Sequence, residues 1–585
     1  MSADAPVGGR GRLDGAGVWG AWLVSLAAAL LFVGRYASNV PSWDDWDMIP
    51  TLTRFQPVTW SWLWSQHNEH RVPLPRLIFL GLNRVFGIDM RVTMVADVLL
   101  MAGVAAALLL VVRRVRGRFR LTDTFLPLVL LSLGQAANLL WGWQLQFFAS
   151  AALAGVALAA IGLTGPVAPA RTGTMVGICA LLLPLCGANG LGMAPALAAW
   201  PLGLALLPGR WTGESGARGH RRLLVLGIGA LLLSAIYFLG WERVPYHPRS
   251  QGTGRTSLTA IKFLTIGLGP AASKPWPLSG VFTLGVVGAT LWRLTTVWRE
   301  QPAERARTLG LACHLGALAA LAAGLGLGRN GFEQRYDTLA APAWCALYLA
   351  WVCYPGRWGR AMAAGLATAA WAALWGNIAH GLTYARELRG ELGSFEQDLT
   401  AGVPLPELLH RYGPWLHPHQ DMPARYLPML RAAGVAPYTG LRDDRGHSAI
   451  PLELRPVTVA GATWQDGRAR LDSAHAALVF ALPAERVVSG LRLRYRFESD
   501  RGTLPYVALQ WKPARQGAFD YTRFYKYSPT GDRANWTRGT WDTIGDSATT
   551  LTVWTEDTMA QVMVGLDGGP GIFRIDELSL LERVP

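Results

Sequence analysis

Lysine, cysteine and nucleotide-binding signatures are what this chain conspicuously has little of. Its 585 residues include four lysines and five cysteines, and charged residues make up 16% of the total, against about 25% in an ordinary soluble domain. Cys179, Cys186, Cys313, Cys345 and Cys353 all fall in apolar stretches, where a free thiol behaves as a small hydrophobic group. None follows Cys353, so the last third carries no disulfide framework. The absence of any Cys-x-x-Cys pair excludes a cysteine-based zinc or redox centre. Neither a P-loop nor a His-Glu-x-x-His pattern occurs, which removes two common routes to nucleotide hydrolysis and zinc chemistry. Gly326-Leu327-Gly328-Arg329-Asn330-Gly331 fits the dinucleotide fingerprint, but it closes an apolar segment instead of following a strand, and the match is accidental.

Apolar length is present instead. Hydrophobic residues form 51% of the chain and the mean hydropathy is +0.23, too high for a soluble enzyme. Runs of about 17–25 apolar residues, the length that crosses a bilayer, fall near 17–36, 92–112, 122–140, 144–163, 174–189, 191–207, 222–240, 277–297, 308–327, 337–354 and 359–379. The reading is a polytopic α-helical membrane protein of about eleven transmembrane helices. No such run follows residue 381. Arg10 and Arg12 precede the first segment as they would in a signal peptide, but its length and the many spans after it point to an uncleaved helix.

The net charge of +15 is carried almost entirely by arginine. These arginines are scattered over loops without a basic stripe and interleaved aromatics, so nucleic acid is not the expected partner. They do report orientation. Arg113, Arg114, Arg116, Arg118 and Arg120, then Arg210, Arg218, Arg221 and Arg222, then Arg293, Arg299, Arg305 and Arg307, then Arg357 and Arg360 share one side. By the positive-inside rule that side and the N-terminus are cytoplasmic, and an odd span count places the C-terminal part outside. Arg243, Arg249 and Arg255 break the rule in an outer loop, as they would in a loop that binds an anion. The stretch from Pro73 to Gly87 is short and interrupted by Pro75, Arg76, Asn83 and Arg84. It reads as an amphipathic helix lying in the interface, with a second short helix near Thr59 to Gln66.

This topology collects the polar residues of the membrane part on the outer face. Asp44, Asp45 and Asp47 follow the first span, and His67, Glu69, His70 and Arg71 come later in the same loop. Gln144, Gln146 and Asn189 lie at helix ends, and Arg329, Asn330, Glu333, Gln334, Arg335 and Tyr336 join two later spans. Ionised groups beside lipid are costly unless they line a wet site or pair with cations, and convergence from separate loops is what a site requires. The bland alternative is a solvated loop packed by its own ion pairs. A metal held by His67, His70 and an Asp is a minority reading. Arginine suits a phosphate, since its planar fork donates two hydrogen bonds at once; Arg329 and Arg335 lead, with Arg71 and Arg249 behind them. Trp43, Trp46, Trp60, Trp62 and Trp64 read as an interfacial aromatic belt or as sugar-stacking platforms.

The acidic pair directly after the first helix, the segment Arg71-Val72-Pro73-Leu74-Pro75 entering the second interfacial helix, and the Arg113-Arg114 end of the second span resemble the GT-C superfamily. These are integral membrane glycosyltransferases that use polyprenyl-phosphate sugars, such as protein mannosyltransferases and aminoarabinose transferases. Trp141-Gly142-Trp143-Gln144-Leu145-Gln146 and Gln334-Arg335-Tyr336 are also similar to segments of bacterial members. The resemblance implies an inverting transfer from a lipid-linked donor to an extracytoplasmic lipid, glycan or protein acceptor at the cell inner membrane. It further implies that Asp44 or Asp45 acts as general base, with Asp47 beside them. His67, Glu69, His70, Arg71, Gln144, Gln146 and Asn189 are expected to support substrate, and Arg329, Arg335, Tyr336 and Arg249 to hold the lipid phosphate. The residues fix no cofactor, and a divalent metal, magnesium or manganese, is compatible with the acids. A rival from another class is a non-catalytic glycan-lipid carrier or scaffold.

The expected domains are a GT-C-like membrane part over 1–380, with its first outer loop at 37–91, a helical connector over 381–449 and an extracytoplasmic β-sandwich over 450–585. Glu387, Glu391, Glu396 and Asp398 sit on exposed helix faces of the connector, with Pro404, Pro406 and Pro414 as breaks. Beyond it, short alternating runs such as Val487 to Tyr495 and Val507 to Trp511 are separated by Gly, Asp and Pro, a sandwich pattern. The ending Phe573-Arg574-Ile575-Asp576 makes it similar to carbohydrate-binding jelly rolls. Phe519, Tyr521, Phe524, Tyr525, Tyr527, Trp536 and Trp541 divide between core and sugar-stacking candidates.

Overall fold

A computed structural model describes residues 8–165, 169–206, 217–244, 252–329, 331–418, 421–442, 447–500, 506–520, 523–527, 539–545, 548–568 and 570–584. The chain forms two compact units, one from Met1–Asn39 and Pro57–Arg389, the other from Val40–Gln56 and Gly390–Pro585. Each is described by itself.

The first unit is helical. Among the described residues eight helices are long and apolar enough to cross a membrane: Leu13–Tyr36, Arg91–Arg116, Gly142–Leu163, Pro169–Cys186, Arg218–Ile236, Leu278–Glu300, Pro302–Gly328 and Gly359–Thr400. The ends of these helices follow local chemistry. Helix Arg91–Arg116 closes with Arg113, Arg114 and Arg116 in its last turn, where cations complement the helix dipole. Gly117 then takes φ 80°, and its N–H bonds the carbonyl of Arg113 at 2.8 Å, a left-handed cap that favours glycine.

Close packing between helices uses small residues. A Cβ on Gly155 would lie 2.4 Å from Cγ1 of Val104, and one on Gly162 would lie 2.7 Å from Cγ1 of Val111. Both the glycines and the valines are seven residues apart, so two helix faces meet twice along one seam, as membrane helices do where small residues allow close approach.

Two of the remaining expected spans are also helices. Ala188–Leu206 contains Pro195 and Pro201, and Asp337–Cys353 has 17 residues, nearly all buried. The segment 122–140 differs from its expected form. It is not one helix but two short ones, Phe125–Leu130 and Ala136–Leu139, joined through 3-10 turns. Gly134 sits at the break, where a Cβ would come within 2.7 Å of Pro270 and 3.1 Å of Asn377. Hydropathy averages over such a break and cannot register it. Helix Thr253–Ile266 lies where the sequence reading placed the end of an outer loop. Helix Pro73–Phe86 is amphipathic as expected, burying Phe79, Leu80 and Asn83 and exposing Leu77, Val85 and Phe86. At 14 residues it spans about 21 Å, too short to cross a bilayer.

Helix Gly359–Thr400 runs for 42 residues without interruption past the expected end of the last span. Its composition changes near Tyr384 from apolar to charged, but the residues remain good helix formers and nothing there stops the helix.

The second unit contains the 3-10 turn Trp43–Met48, helices Leu405–Leu416 and Asp421–Ala432, and an antiparallel β domain. Among the described residues ten strands join in one hydrogen-bonded network through the long strands His475–Ser499, Ala548–Asp567 and Gly571–Arg583. Register shifts at Trp554/Asp557, Met559/Gln561 and Ile575/Glu577 let these strands bend and change partners along their length. In-register pairs such as Leu551↔Leu493 and Val553↔Leu491 place alternate residues in a core with Phe480, Trp511 and Phe573. Tyr521 and Trp536 lie outside the described residues, and Phe519 is half-buried beneath the Lys512 ammonium, 5.1 Å from its ring centroid.

Candidate functional site

Within the first unit, residues from three distant stretches meet. Gln66–His67 and His70–Arg71 form a two-stranded hairpin with Asn68 at φ 49°. Tyr237 and Trp241 hold it from outside. The backbone N–H of Arg71 donates to the Tyr237 hydroxyl at 2.9 Å, and the indole N–H of Trp241 donates to the carbonyl of Glu69 at 3.1 Å. Gln66 donates to the carbonyl of Glu242 at 2.6 Å and accepts its N–H at 3.0 Å.

This clamp presents Glu69 to Arg329, whose Nη2 donates to Glu69 Oε1. The Nε of Arg329 donates to the Tyr336 hydroxyl at 3.0 Å. Burial works against the Arg329 charge, but Tyr336 and Glu69 more than offset it and hold the guanidinium above its ordinary pKa. His70 stands beside them, with Nε2 3.6 Å from Glu69 Oε1, beyond a direct hydrogen bond. Its Nδ1 accepts the backbone N–H of Ala188 at 3.1 Å, which assigns the proton of the neutral ring to Nε2, facing the carboxylate. Side-chain exposures of 21% for Glu69, 15% for Arg329 and 14% for His70 leave the group reachable yet largely shielded from water.

The other expected residues of this unit divide in two. Arg71 is buried and committed to backbone carbonyls, donating to those of Tyr237 at 3.0 Å, Trp64 at 2.6 Å and Leu239 at 2.8 Å. Those bonds make it a clamp for the loop, as Arg76 is for the end of helix Trp60–Trp64 through the carbonyls of Leu63 and Ser65. His67 is buried edge-on to Trp143 at 5.8 Å between ring centroids. Gln144, Gln146 and Asn189 are all buried. Arg335 is half-buried, its guanidinium 5.4 Å from the Tyr336 ring centroid. Arg249 lies outside the described residues.

Asp44, Asp45 and Asp47 belong to the second unit, and the turn gives them different surroundings. Trp43 takes φ 49°, and Ser42 caps the turn. Asp45 is fully buried, and its Oδ2 accepts the N–H of Ser42 at 2.9 Å. Next to it Trp46 is buried and donates its indole N–H to the carbonyl of Leu416 at 3.0 Å. Burial, then the charges of Glu396 and Asp45, push the phenol of buried Tyr438 far above its usual range, which records the Asp45 carboxylate as part of the packed interior. Asp44 and Asp47 are half-buried and three residues apart, so in a 3-10 turn they share a face. Their carboxylate oxygens come within 4.8 Å of each other, and hard oxygen donors of this kind suit magnesium or manganese.

Sequence reasoning missed Tyr237, Trp241 and Arg76 as organisers of the first loop. An amphipathic residue at a helix end carries no sequence mark that distinguishes anchoring from packing.

No family model and no curated protein matches the chain. Among solved structures it is similar to the arabinosyltransferase EmbB from Mycobacterium smegmatis, with a TM-score of 0.28 and 14% identity, over 100% of this chain and 66% of that one. It is also similar to two structures of the arabinofuranosyltransferase AftD from mycobacteria. One has a TM-score of 0.30 and 12% identity over 96% of this chain and 61% of that one. The other has 0.28 and 13% over 96% and 59%. The chain thus spans less than two thirds of the length of these three structures.

Proposed function

We propose that this chain is an inverting GT-C-type glycosyltransferase that moves a sugar from a polyprenyl-phosphate donor to an acceptor hydroxyl on a lipid, glycan or protein. It sits in the cell inner membrane, with the N-terminus cytoplasmic and the C-terminal β domain extracytoplasmic. The observation that carries this reading is the meeting of Glu69, Arg329 and Tyr336, with Arg329 260 residues from Glu69 in sequence. An arginine shielded from water and backed by a phenol is a ready ligand for a lipid phosphate.

Asp44 is the proposed general base and Asp45 a positioning residue. Asp45 is buried and spends one oxygen on the Ser42 N–H, whereas Asp44 retains exposure, as a group that meets an acceptor hydroxyl must, and has Asp47 beside it. In the transfer, the acceptor hydroxyl gives its proton to Asp44 as its oxygen forms a bond to the anomeric carbon. The bond from that carbon to the phosphate oxygen breaks on the opposite face, and the polyprenyl phosphate leaves with the electron pair. A divalent cation on Asp44 and Asp47 would supply further charge stabilisation. Their oxygens fit such an ion, although they leave most of its coordination to other donors.

The test is turnover of polyprenyl-phosphate sugars by the full chain in lipid nanodiscs. Asp44→Asn is expected to lower turnover by about 10²–10⁴-fold at unchanged thermal midpoint, and Asp45→Asn to lower the midpoint as well. Unchanged turnover in Asp44→Asn would remove it as the base.

A further inference from the structure

One carboxylate in the first unit stands among more positive charge than it can balance. Asp123 lies in the short turn Leu121–Thr124 that follows helix Arg91–Arg116, and it is fully buried. Its Oδ2 accepts from the Arg116 guanidinium and, at 2.8 Å, from the backbone N–H of Arg120. Its Oδ1 accepts from the Tyr348 hydroxyl at 2.6 Å. Both oxygens are committed, so Asp123 orders the turn and neutralises a single arginine, Arg116.

Arg120 is left over. It is half-buried, and among the described residues its guanidinium makes no hydrogen bond and no ion pair. Burial, then the charges of Arg116, Arg118 and Arg360, hold its pKa below the ordinary value against the pull of Asp123. Arg118 and Arg360 are exposed, and their guanidinium groups likewise have no ion pair among the described residues. An arginine stays charged in spite of such a shift. Three guanidinium groups without a protein anion therefore crowd together, two flanking the end of one helix and the third at the start of helix Gly359–Thr400. Crowded like charges repel, and an anion shared among them removes the repulsion.

The surroundings of Arg120 indicate what kind of anion fits. Thr124, at the end of the same turn, accepts the indole N–H of Trp371 at 3.2 Å, which ties the turn to the long helix. Trp371 is 48% exposed and Leu121, next to Arg120, is 59% exposed. One turn thus presents a cationic edge and, beside it, open apolar surface of the kind that acyl chains cover. The planar fork of an arginine donates two hydrogen bonds at once to a phosphate. A soluble phosphate would use the cationic edge alone, whereas a phospholipid uses both parts.

We propose that Arg118, Arg120 and Arg360 bind the headgroup phosphate of an anionic phospholipid, whose acyl chain lies along Leu121 and Trp371. The orientation proposed above puts this lipid in the leaflet facing the cytoplasm. The site shares no residue with Glu69, Arg329 and Tyr336, and it requires a membrane protein but not a transferase.

The experiment measures binding of phosphatidylglycerol and phosphatidylcholine to the full chain in detergent, for the wild type, Arg120→Gln, Arg360→Gln and Arg299→Gln. Arg299 is an exposed arginine in the last turn of helix Leu278–Glu300, so its variant loses the same charge outside the cluster. The wild type should prefer phosphatidylglycerol. Arg120→Gln and Arg360→Gln should each weaken that lipid by about fivefold, the contribution of one arginine at a lipid surface, and leave phosphatidylcholine unchanged. Arg299→Gln should leave both lipids unchanged. Inorganic phosphate, with ionic strength matched by chloride, should displace less than half of the bound phosphatidylglycerol. Removing a charge from a crowded cluster relieves repulsion, so the lipid-free thermal midpoint of Arg120→Gln should stay level or rise. Equal losses in Arg120→Gln and Arg299→Gln would reveal only general surface charge and would overturn the proposal. So would equal affinity of the wild type for the two lipids, full displacement by inorganic phosphate, or a lowered lipid-free midpoint in Arg120→Gln, which would assign that guanidinium to the fold.

Discussion

Glu69→Gln is expected to destabilise the protein and yet tighten its hold on an anionic lipid. The side chain keeps its length and loses its charge, so the pair with Arg329 becomes a neutral contact while the Tyr336 hydroxyl stays at 3.0 Å from Arg329 Nε. Truncating a fully buried pair costs about 3–5 kcal/mol. With side chains 15% and 21% exposed and an amide still able to accept, about 1–2 kcal/mol is the appropriate figure after discounting for solvent. The same change acts on a bound phosphate with opposite sign. A carboxylate about 6 Å from a phosphate repels it by roughly 3 kcal/mol at an effective dielectric constant of about 20, and screening and relaxation reduce this to about 1–2 kcal/mol. Affinity for undecaprenyl phosphate should therefore rise by about tenfold, a factor corresponding to 1.4 kcal/mol. The assay pairs thermal unfolding in detergent with lipid binding in nanodiscs at low and high salt, since the gain should shrink as salt rises. Weaker or unchanged binding in a variant that is measurably less stable would show that Arg329 serves the fold alone and would refute the phosphate assignment.

Two further predictions probe packing and titration. Gly155→Ala places a methyl 2.4 Å from Val104 Cγ1 and should cost about 1–3 kcal/mol through overpacking. Gly103→Ala, with nothing within 4 Å of the added carbon, should be neutral or stabilising by up to about 1 kcal/mol; equal effects in detergent unfolding would contradict the helix seam. In the β domain, burial raises the Asp557 pKa, but bonds from Arg523 at 2.6 Å, Trp511 at 3.1 Å and the Thr558 N–H at 2.8 Å outweigh it, and the folded value lies below the usual one. A depressed folded pKa stabilises above the unfolded value of about 3.9 and loses that contribution as pH falls through the folded value. Unfolding of the β-domain signal in the full chain should thus show a stability loss below about pH 4 that Asp557→Asn reduces; a loss unchanged in the variant would assign the acid sensitivity elsewhere.

The apolar runs were legible because a helix in lipid needs an unbroken stretch of side chains that water would reject, and eight such helices stand where runs were read. The break at Gly134 was not legible, because it depends on Pro270 and Asn377, more than a hundred residues away. Glu69 and Arg329 were both singled out by their charge beside apolar segments, but their pairing came only with the fold. Arg71 and Arg76 carry the same charge as Arg329, but each spends its guanidinium on several backbone carbonyls, whereas Arg329 reaches one, that of Gly328, beside Glu69 and Tyr336. The pair Asp44 and Asp45 makes the same point, since adjacent identical residues received opposite surroundings from one turn around Trp46.

By itself the sequence determined which segments must leave water, where arginine collects and which polar residues sit at helix ends, because these follow from local composition and period. Tertiary structure alone decided which of those polar groups are consumed by the fold and which retain unused hydrogen-bonding capacity. Arg116 and Arg120 show the physical reason: Asp123, which neutralises the first and not the second, is held by Tyr348, 225 residues distant, and no local pattern records that partner.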